Sequence, residues 1–254
     1  MTVRDSPDFQ KQTLLEHFTE LRQRLIYSFI AIIAGFIVSY AFAPQIYEFL
    51  VRPLAEVSAD EHRRLIYTGL TEAFVTYIKL ALWMGCLLAF PIIAAQAWIF
   101  AAPGLYDNER KAFLPFLIAT PVFFLLGAAM AYYVVFPLAW QFFLSFEIPA
   151  SAGVLPIQLE ARVSEYLSLS MTIIFAFGLA FQLPVVLVLL ARAGVLSATK
   201  LSSFRRYAIV LIFTAAAILT PPDLISMVSL ALPLMLLYEL SIFGAKWVEK
   251  KKIN

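Results

Sequence analysis

Cysteine and histidine are almost missing from this chain. The lone cysteine, Cys86, lies inside an apolar stretch with no second thiol to pair with, which excludes a disulfide within the chain and a cysteine-based metal cluster. The two histidines, His17 and His62, fall in separate segments and make no zinc-binding spacing, so no bound metal is expected. Charge is scarce as well: Asp, Glu, Lys and Arg make up 14% of the 254 residues, while 62% are hydrophobic. A soluble domain carries about 25% charged residues, so this composition belongs in lipid.

Signatures of chemistry are missing too. The sequence holds no Gly-x-Ser-x-Gly, no His-Glu-x-x-His and no phosphate-binding loop, and no acid, base and nucleophile trio falls inside its apolar stretches. An enzyme is therefore not expected, nor is a cofactor. The net charge of +2 is small and scattered, and no basic cluster is interleaved with stacking aromatics on a polar segment, so nucleic acid is not an expected partner. No inverted internal repeat and no low-complexity segment is visible.

Long hydrophobic runs dominate what remains. A spanning helix needs about 20 apolar residues to cross a core roughly 30 Å thick, and six stretches qualify as candidates: Leu25–Ala43, Ala73–Phe100, Ala112–Phe143, Leu167–Leu190, Tyr207–Leu219 and Ile225–Phe243. The expected fold is an all-α polytopic membrane protein, a single integral membrane domain over residues 1–254. The polar connections Pro44–Glu72 and Ser145–Glu165 are too small for separate domains. Arg22 and Arg24 precede a run that closes in Ala41-Phe42-Ala43, an imitation of a signal-peptide cleavage site. A retained helix is expected instead, because the run has full spanning length and Pro44 would follow the scissile bond.

Basic residues set the expected topology. Of the 19 Lys and Arg residues, fourteen fall on one side of six crossings: Arg4, Lys11, Arg22 and Arg24; Arg110 and Lys111; Arg192, Lys200, Arg205 and Arg206; Lys246, Lys250, Lys251 and Lys252. Arg52, Arg63, Arg64 and Arg162 face them, with Lys79 inside the second span. By the positive-inside rule both termini are cytoplasmic. The fifth stretch, Tyr207–Leu219, spans only about 20 Å as a helix. It can be re-entrant, or the last two spans can be short and thin the bilayer around them. Pro91, Pro115, Pro121, Pro137, Pro184 and Pro233 lie within the spans and are expected to bend them into a curved wall.

Ahead of the first span, Thr13-Leu14-Leu15-Glu16 is a capping box, so a helix is expected from Leu14 onward. Glu16 and Glu20 then emerge one turn apart at the cytoplasmic rim. Glu20 has two readings: an i,i+4 partner of Arg24, worth about 0.3–0.5 kcal/mol, or a binding carboxylate. Glu109 has two as well: a first-turn acid that favours the helix dipole of the third span, or a second binding carboxylate. Within the membrane, Lys79 and Glu239 lie near span ends, where they can snorkel to the headgroups or reach water. Gln182 lies deeper and suits an inter-helix hydrogen bond, to this chain or to a partner's span.

Five stretches together carry a resemblance. The run His17–Leu25, the loop Trp98–Arg110, Tyr132-Tyr133-Val134-Val135-Phe136-Pro137, Phe177-Gly178-Leu179-Ala180-Phe181-Gln182-Leu183-Pro184 and Leu219-Thr220-Pro221-Pro222-Asp223 resemble the TatC family, the signal-receptor subunit of the twin-arginine protein translocase. The likeness runs from about Leu15 to Phe243. It implies a multi-pass protein of the bacterial inner membrane that binds the twin-arginine signal peptides of folded precursors and assembles with TatA and TatB into a multimeric complex. The proton-motive force would drive export.

Residue by residue, the resemblance places Glu20 and Glu109 on the glutamates that hold the arginine pair, and Phe100 on the aromatic position beside them. Pro53 and Asp223 match outer-loop positions, Tyr132 a residue of the third span and Gln182 an intramembrane polar position of the fourth. The family often has glutamate where this chain has Gln182, so no charge-dependent role carries over there. The alternative function is a small-solute secondary transporter, which predicts broken helices and facing ionisable groups at mid-membrane. The carboxylates singled out here sit at the rim instead.

Overall fold

The computed structural model describes residues 14–58, 64–101, 114–148, 155–219 and 224–253. Helix α1 (Leu14–Ala41) runs 28 residues, because no proline interrupts the sequence between its ends. At 1.5 Å per residue it is about 42 Å long, more than a hydrocarbon core of roughly 30 Å, so its first turns extend beyond the apolar stretch. Those turns carry Glu20, Arg22 and Arg24.

Only Phe42 separates α1 from α2 (Ala43–Val57). Pro44 sits in the first turn of α2, where its missing N–H costs nothing but cannot continue α1. The sequence reading had this region as a polar connection. Instead Ala43, Leu50, Pro53 and Leu54 are buried, with Ile46, Tyr47 and Val51 packed beside them. Glu48, Arg52 and Glu56 interleave with these residues and mask the apolar face in a linear reading.

Helix α3 (Glu72–Ala101) returns antiparallel along α1. The two cross in backbone contact at a pair of glycines: a Cβ on Gly35 would lie 2.6 Å from the Gly85 carbonyl oxygen, and one on Gly85 would lie 2.6 Å from the Phe36 nitrogen. Small residues at such crossings let dispersion act between whole helices where lipid supplies no hydrophobic drive. The third span is α4 (Leu114–Met130), a π-helical turn (Ala131–Val135) and α5 (Phe136–Leu144) in succession.

The fourth span is bent. Helix α6 (Val163–Ala180) stops, Phe181 and Gln182 form a turn, and α7 (Leu183–Arg192) restarts with Pro184 in its first turn. Pro184 has no N–H to give the carbonyl of Ala180, and the span bends at that point: Phe181 and Gln182 keep right-handed helical dihedrals, and Val163–Arg192 remains one run long enough to cross. The short α8 (Ala198–Ser203) leads into α9 (Arg205–Leu219) and α10 (Leu224–Ile253). Helix α10 does not end with the apolar run at Phe243 but continues to Ile253 through Lys246 and Lys250.

Among the described residues, stretches of five helical runs are long and apolar enough to cross a membrane: His17–Ala41, Glu72–Phe100, Pro115–Leu144, Val163–Arg192 and Met227–Lys250. Helix α9, with 15 residues, covers about 22 Å and is the short element. Phe124, Phe136, Phe177, Ile173 and Leu230 are fully buried at the centre, with the rings of Phe90 and Phe124 stacked at 3.8 Å. Among the described residues there is no strand, only isolated bridges between Ile66 and Arg162 and between Ile148 and Ile157.

Those bridges lie at the end opposite the first turns of α1. There Glu72 ties three segments together: its Oε2 accepts from the Thr68 and Gly69 amides at 2.9 and 3.2 Å, and its Oε1 accepts from the Ser164 hydroxyl at 2.5 Å. The Ile66 carbonyl accepts the Val163 amide at 2.9 Å. Together these bonds fix the first turns of α3 and α6 side by side, which in turn fixes where the other end of α3 stands relative to α1.

Candidate functional site

At the charged end, the first turns of α1 lie against the last turns of α3. Glu20 and Arg24 are one helical turn apart on α1, and Nη2 of Arg24 lies 3.1 Å from Oε1 of Glu20. The other terminal nitrogen of Arg24 donates across to Oε1 of Gln96 on α3 at 3.3 Å. Both partners of the ion pair are largely withdrawn from solvent, with 27% and 22% of their side chains exposed. The Nε of Arg24 is buried without an acceptor among the described residues.

Phe100, in the last turn of α3, stacks on His17 with ring centroids 4.4 Å apart. Between the two helices runs a groove of about 430 Å³, in which Arg24, Gln96 and Phe100 give way to Leu25, Phe29 and Ile93. The guanidinium of Arg24 therefore lines an apolar groove, with the Glu20 carboxylate paired to it. At 4 Å such a pair attracts by about 4 kcal/mol at an effective dielectric of 20, while a freely solvated pair nets about 0–1. The half-buried position of this pair puts it between those limits. Of the three residues expected at the site, Phe100 lines this groove and Glu20 adjoins it through Arg24; Glu109 lies outside the described residues. Gln96 and Arg24 were not singled out as site residues, although the i,i+4 spacing of Glu20 and Arg24 was legible.

Pro53 and Tyr132 meet at the opposite end. Proline has no N–H, so the carbonyl of Phe49, four residues before Pro53 in α2, loses its helical donor. The Tyr132 hydroxyl donates to that carbonyl at 2.7 Å, and its ring stacks on Phe49 at 4.2 Å and 3°. Tyr166 does the same for the next carbonyl, Leu50, also at 2.7 Å. Tyr132 is aimed there by the π-helical turn, whose extra residue re-registers the helix face. Asp223, expected at this end too, lies outside the described residues.

In mid-membrane, Gln182 stands at the bend between α6 and α7: its Nε2 donates to the Thr120 carbonyl at 2.8 Å. The Thr120 hydroxyl accepts from Trp98 Nε1 at 3.0 Å and donates to the Phe116 carbonyl at 2.8 Å. The span-crossing bond of Gln182 is therefore made within the chain. Glu239 does not simply face water: Arg205 grips it through two nitrogens at 2.7 and 2.9 Å. Lys79 is exposed on α3.

A bundle of apolar helices, with no acid, base and nucleophile trio among the described residues, defines a polytopic membrane protein. The chain belongs to the TatC family: the family described as Sec-independent protein translocase protein (TatC) matches residues 16–233. It is 51% identical to the Sec-independent protein translocase protein TatC of Magnetococcus marinus over 96% of this chain and 87% of that one. With the protein of the same name from Rickettsia prowazekii it shares 46% identity over 92% of both. A crystal structure described as the twin arginine translocase receptor TatC superposes with a TM-score of 0.77 at 39% identity, covering 92% of this chain and all of the other.

The fold class is accordingly an all-α, six-span membrane protein in which α9 is the short fifth span. The chain is a translocase subunit of the inner membrane and a component of the Tat complex, not an enzyme. The solute-transporter alternative has no support in these relationships.

Proposed function

We propose that this chain is the receptor subunit that recognises twin-arginine signal peptides, with Glu20 and Glu109 as the carboxylates that take the arginine pair and Phe100 packing beside them. The observation that carries this reading is that Glu20 already holds, at 3.1 Å, a guanidinium that lines an apolar groove. A guanidinium is planar and permanently charged and can grip a carboxylate through two parallel bonds, whereas an ammonium is a compact point charge. The groove's Leu25, Phe29 and Ile93 suit the apolar segment that follows the arginines in such a signal.

On this reading the charged end faces the cytoplasm, as the distribution of basic residues demands, and both termini lie there. The chain works as one integral membrane domain in a multimeric assembly with TatA and TatB, powered by the proton-motive force. Pro53, Tyr132, Gln182 and Asp223 shape or contact the assembly rather than the signal. Binding of an Arg-Arg signal peptide and of its Lys-Lys version to the reconstituted chain tests the proposal. The Arg-Arg form should bind more tightly, and Glu20→Gln should erase most of the difference. Equal binding of the two peptides to the unaltered chain would rule the reading out.

A further inference from the structure

The guanidinium that occupies Glu20 belongs to the chain itself. We propose that Arg24 is a built-in competitor for the signal's arginines, and that it holds the affinity of the site down by having to be displaced. This inference rests on the assignment of Glu20 as a signal-binding carboxylate and adds an autoinhibitory contact to it.

Three observations bear on the exchange. The hold on Glu20 is incomplete: among the described residues one oxygen of Glu20 meets one nitrogen of Arg24, whereas a carboxylate can accept two parallel bonds from a guanidinium. Arg24 is also poorly satisfied where it is, because its Nε is buried without an acceptor among the described residues, and an unpaired buried donor is costly. Finally, Arg24 has somewhere to remain, since Gln96 accepts its other terminal nitrogen at 3.3 Å. An incoming arginine can therefore take Glu20 through both oxygens while Arg24 stays tethered to α3.

Two consequences follow from charge balance. The unoccupied receptor does not present a bare carboxylate at a site where both side chains are mostly withdrawn from solvent, which would carry a heavy desolvation cost. Any ligand must also outbid a guanidinium already in place. That cost is the same for an Arg-Arg and a Lys-Lys signal, so it lowers both affinities alike and leaves the discrimination between them to the two-bond fit of arginine on Glu20.

The test uses the full chain in liposomes and the same pair of signal peptides, Arg-Arg and Lys-Lys. Arg24→Gln should tighten Arg-Arg binding by about threefold to fivefold, the scale of a modest ion pair, and should tighten Lys-Lys binding by the same factor, so that the ratio between them stays as it was. Arg24→Lys, which keeps the charge and the insertion signal, should shift both affinities in the same directions by less and covers the case in which the glutamine variant is poorly inserted. Gln96→Leu, which removes the tether, should weaken Arg-Arg binding severalfold, and combining it with Arg24→Gln should cancel that loss. Weaker Arg-Arg binding in both Arg24 variants would overturn the proposal and make Arg24 a support for Glu20. If instead Glu20→Gln leaves the Arg-Arg affinity of the unaltered background intact, the receptor assignment itself fails, whatever Arg24 does.

Discussion

The Tyr132 hydroxyl supplies the hydrogen bond that Pro53 takes away. Proline at position 53 leaves the Phe49 carbonyl of α2 without its helical donor, and Tyr132 donates to that carbonyl at 2.7 Å from a different span. Two residues that looked like separate points of interest in the sequence are one device, which fixes the short helix α2 to the π-helical turn of the third span.

Tyr132→Phe should therefore cost about 0.5–1.5 kcal/mol, the net worth of a hydrogen bond to a part-buried carbonyl, while the ring stack on Phe49 survives. Pro53→Ala restores a backbone donor four residues after Phe49. The double variant should recover part of the loss, with a coupling of about 1 kcal/mol in a double-mutant cycle. Thermal melts of the three variants in detergent measure this. Strictly additive losses would show that the two residues act independently.

The glycine crossing of α1 and α3 controls the rim from a distance. A Cβ at Gly35 or Gly85 would fall 2.6 Å from main-chain atoms of the other helix, and backbone cannot yield as a side chain does. Gly85→Ala should push the helices apart and draw Gln96 away from Arg24, lowering Arg-Arg signal affinity severalfold without touching the site. Spin labels on the exposed residues Phe18 and Ile99, in a Cys86→Ser background, would report the widening. An unchanged distance with lowered affinity would point to another cause.

The spans were legible because apolar runs of that length have few other uses, while the groove that Phe100 lines together with Arg24, the partner of Glu20, depends on how α1 lies against α3 and is written in no single stretch of sequence. Helix α2 was not legible, since its buried face is interleaved with Glu48, Arg52 and Glu56 in a stretch that reads as polar. Nor was the partner of Tyr132: the carbonyl it meets lies 83 residues away, and no local pattern encodes that distance. Pro184 marked the fourth span for a bend, but whether a proline kinks a helix or ends it depends on which groups nearby can satisfy the freed backbone. Here the span bends at Phe181 and Gln182 and runs on, and the Gln182 side chain bonds across to α4.

That bond makes Gln182 a donor, and the direction of donation decides which substitutions it tolerates. The Thr120 carbonyl can only accept, so the residue at 182 must offer a proton, which the glutamine amide does at 2.8 Å. Gln182→Leu removes the bond and should destabilise the fold by about 0.6–1.7 kcal/mol, the range found for inter-helix hydrogen bonds in membranes. Gln182→Glu can replace the bond only as the neutral acid, whose O–H donates to the same carbonyl; an ionised carboxylate would face the carbonyl's lone pairs. The glutamate variant should therefore melt close to the unaltered protein at acidic pH and lose that parity as the pH rises and the acid ionises, while the leucine variant should show no such dependence. Melting curves of both variants across pH provide the measurement, and a glutamate variant that matches the unaltered protein equally at every pH would mean that Thr120 is not the partner that matters.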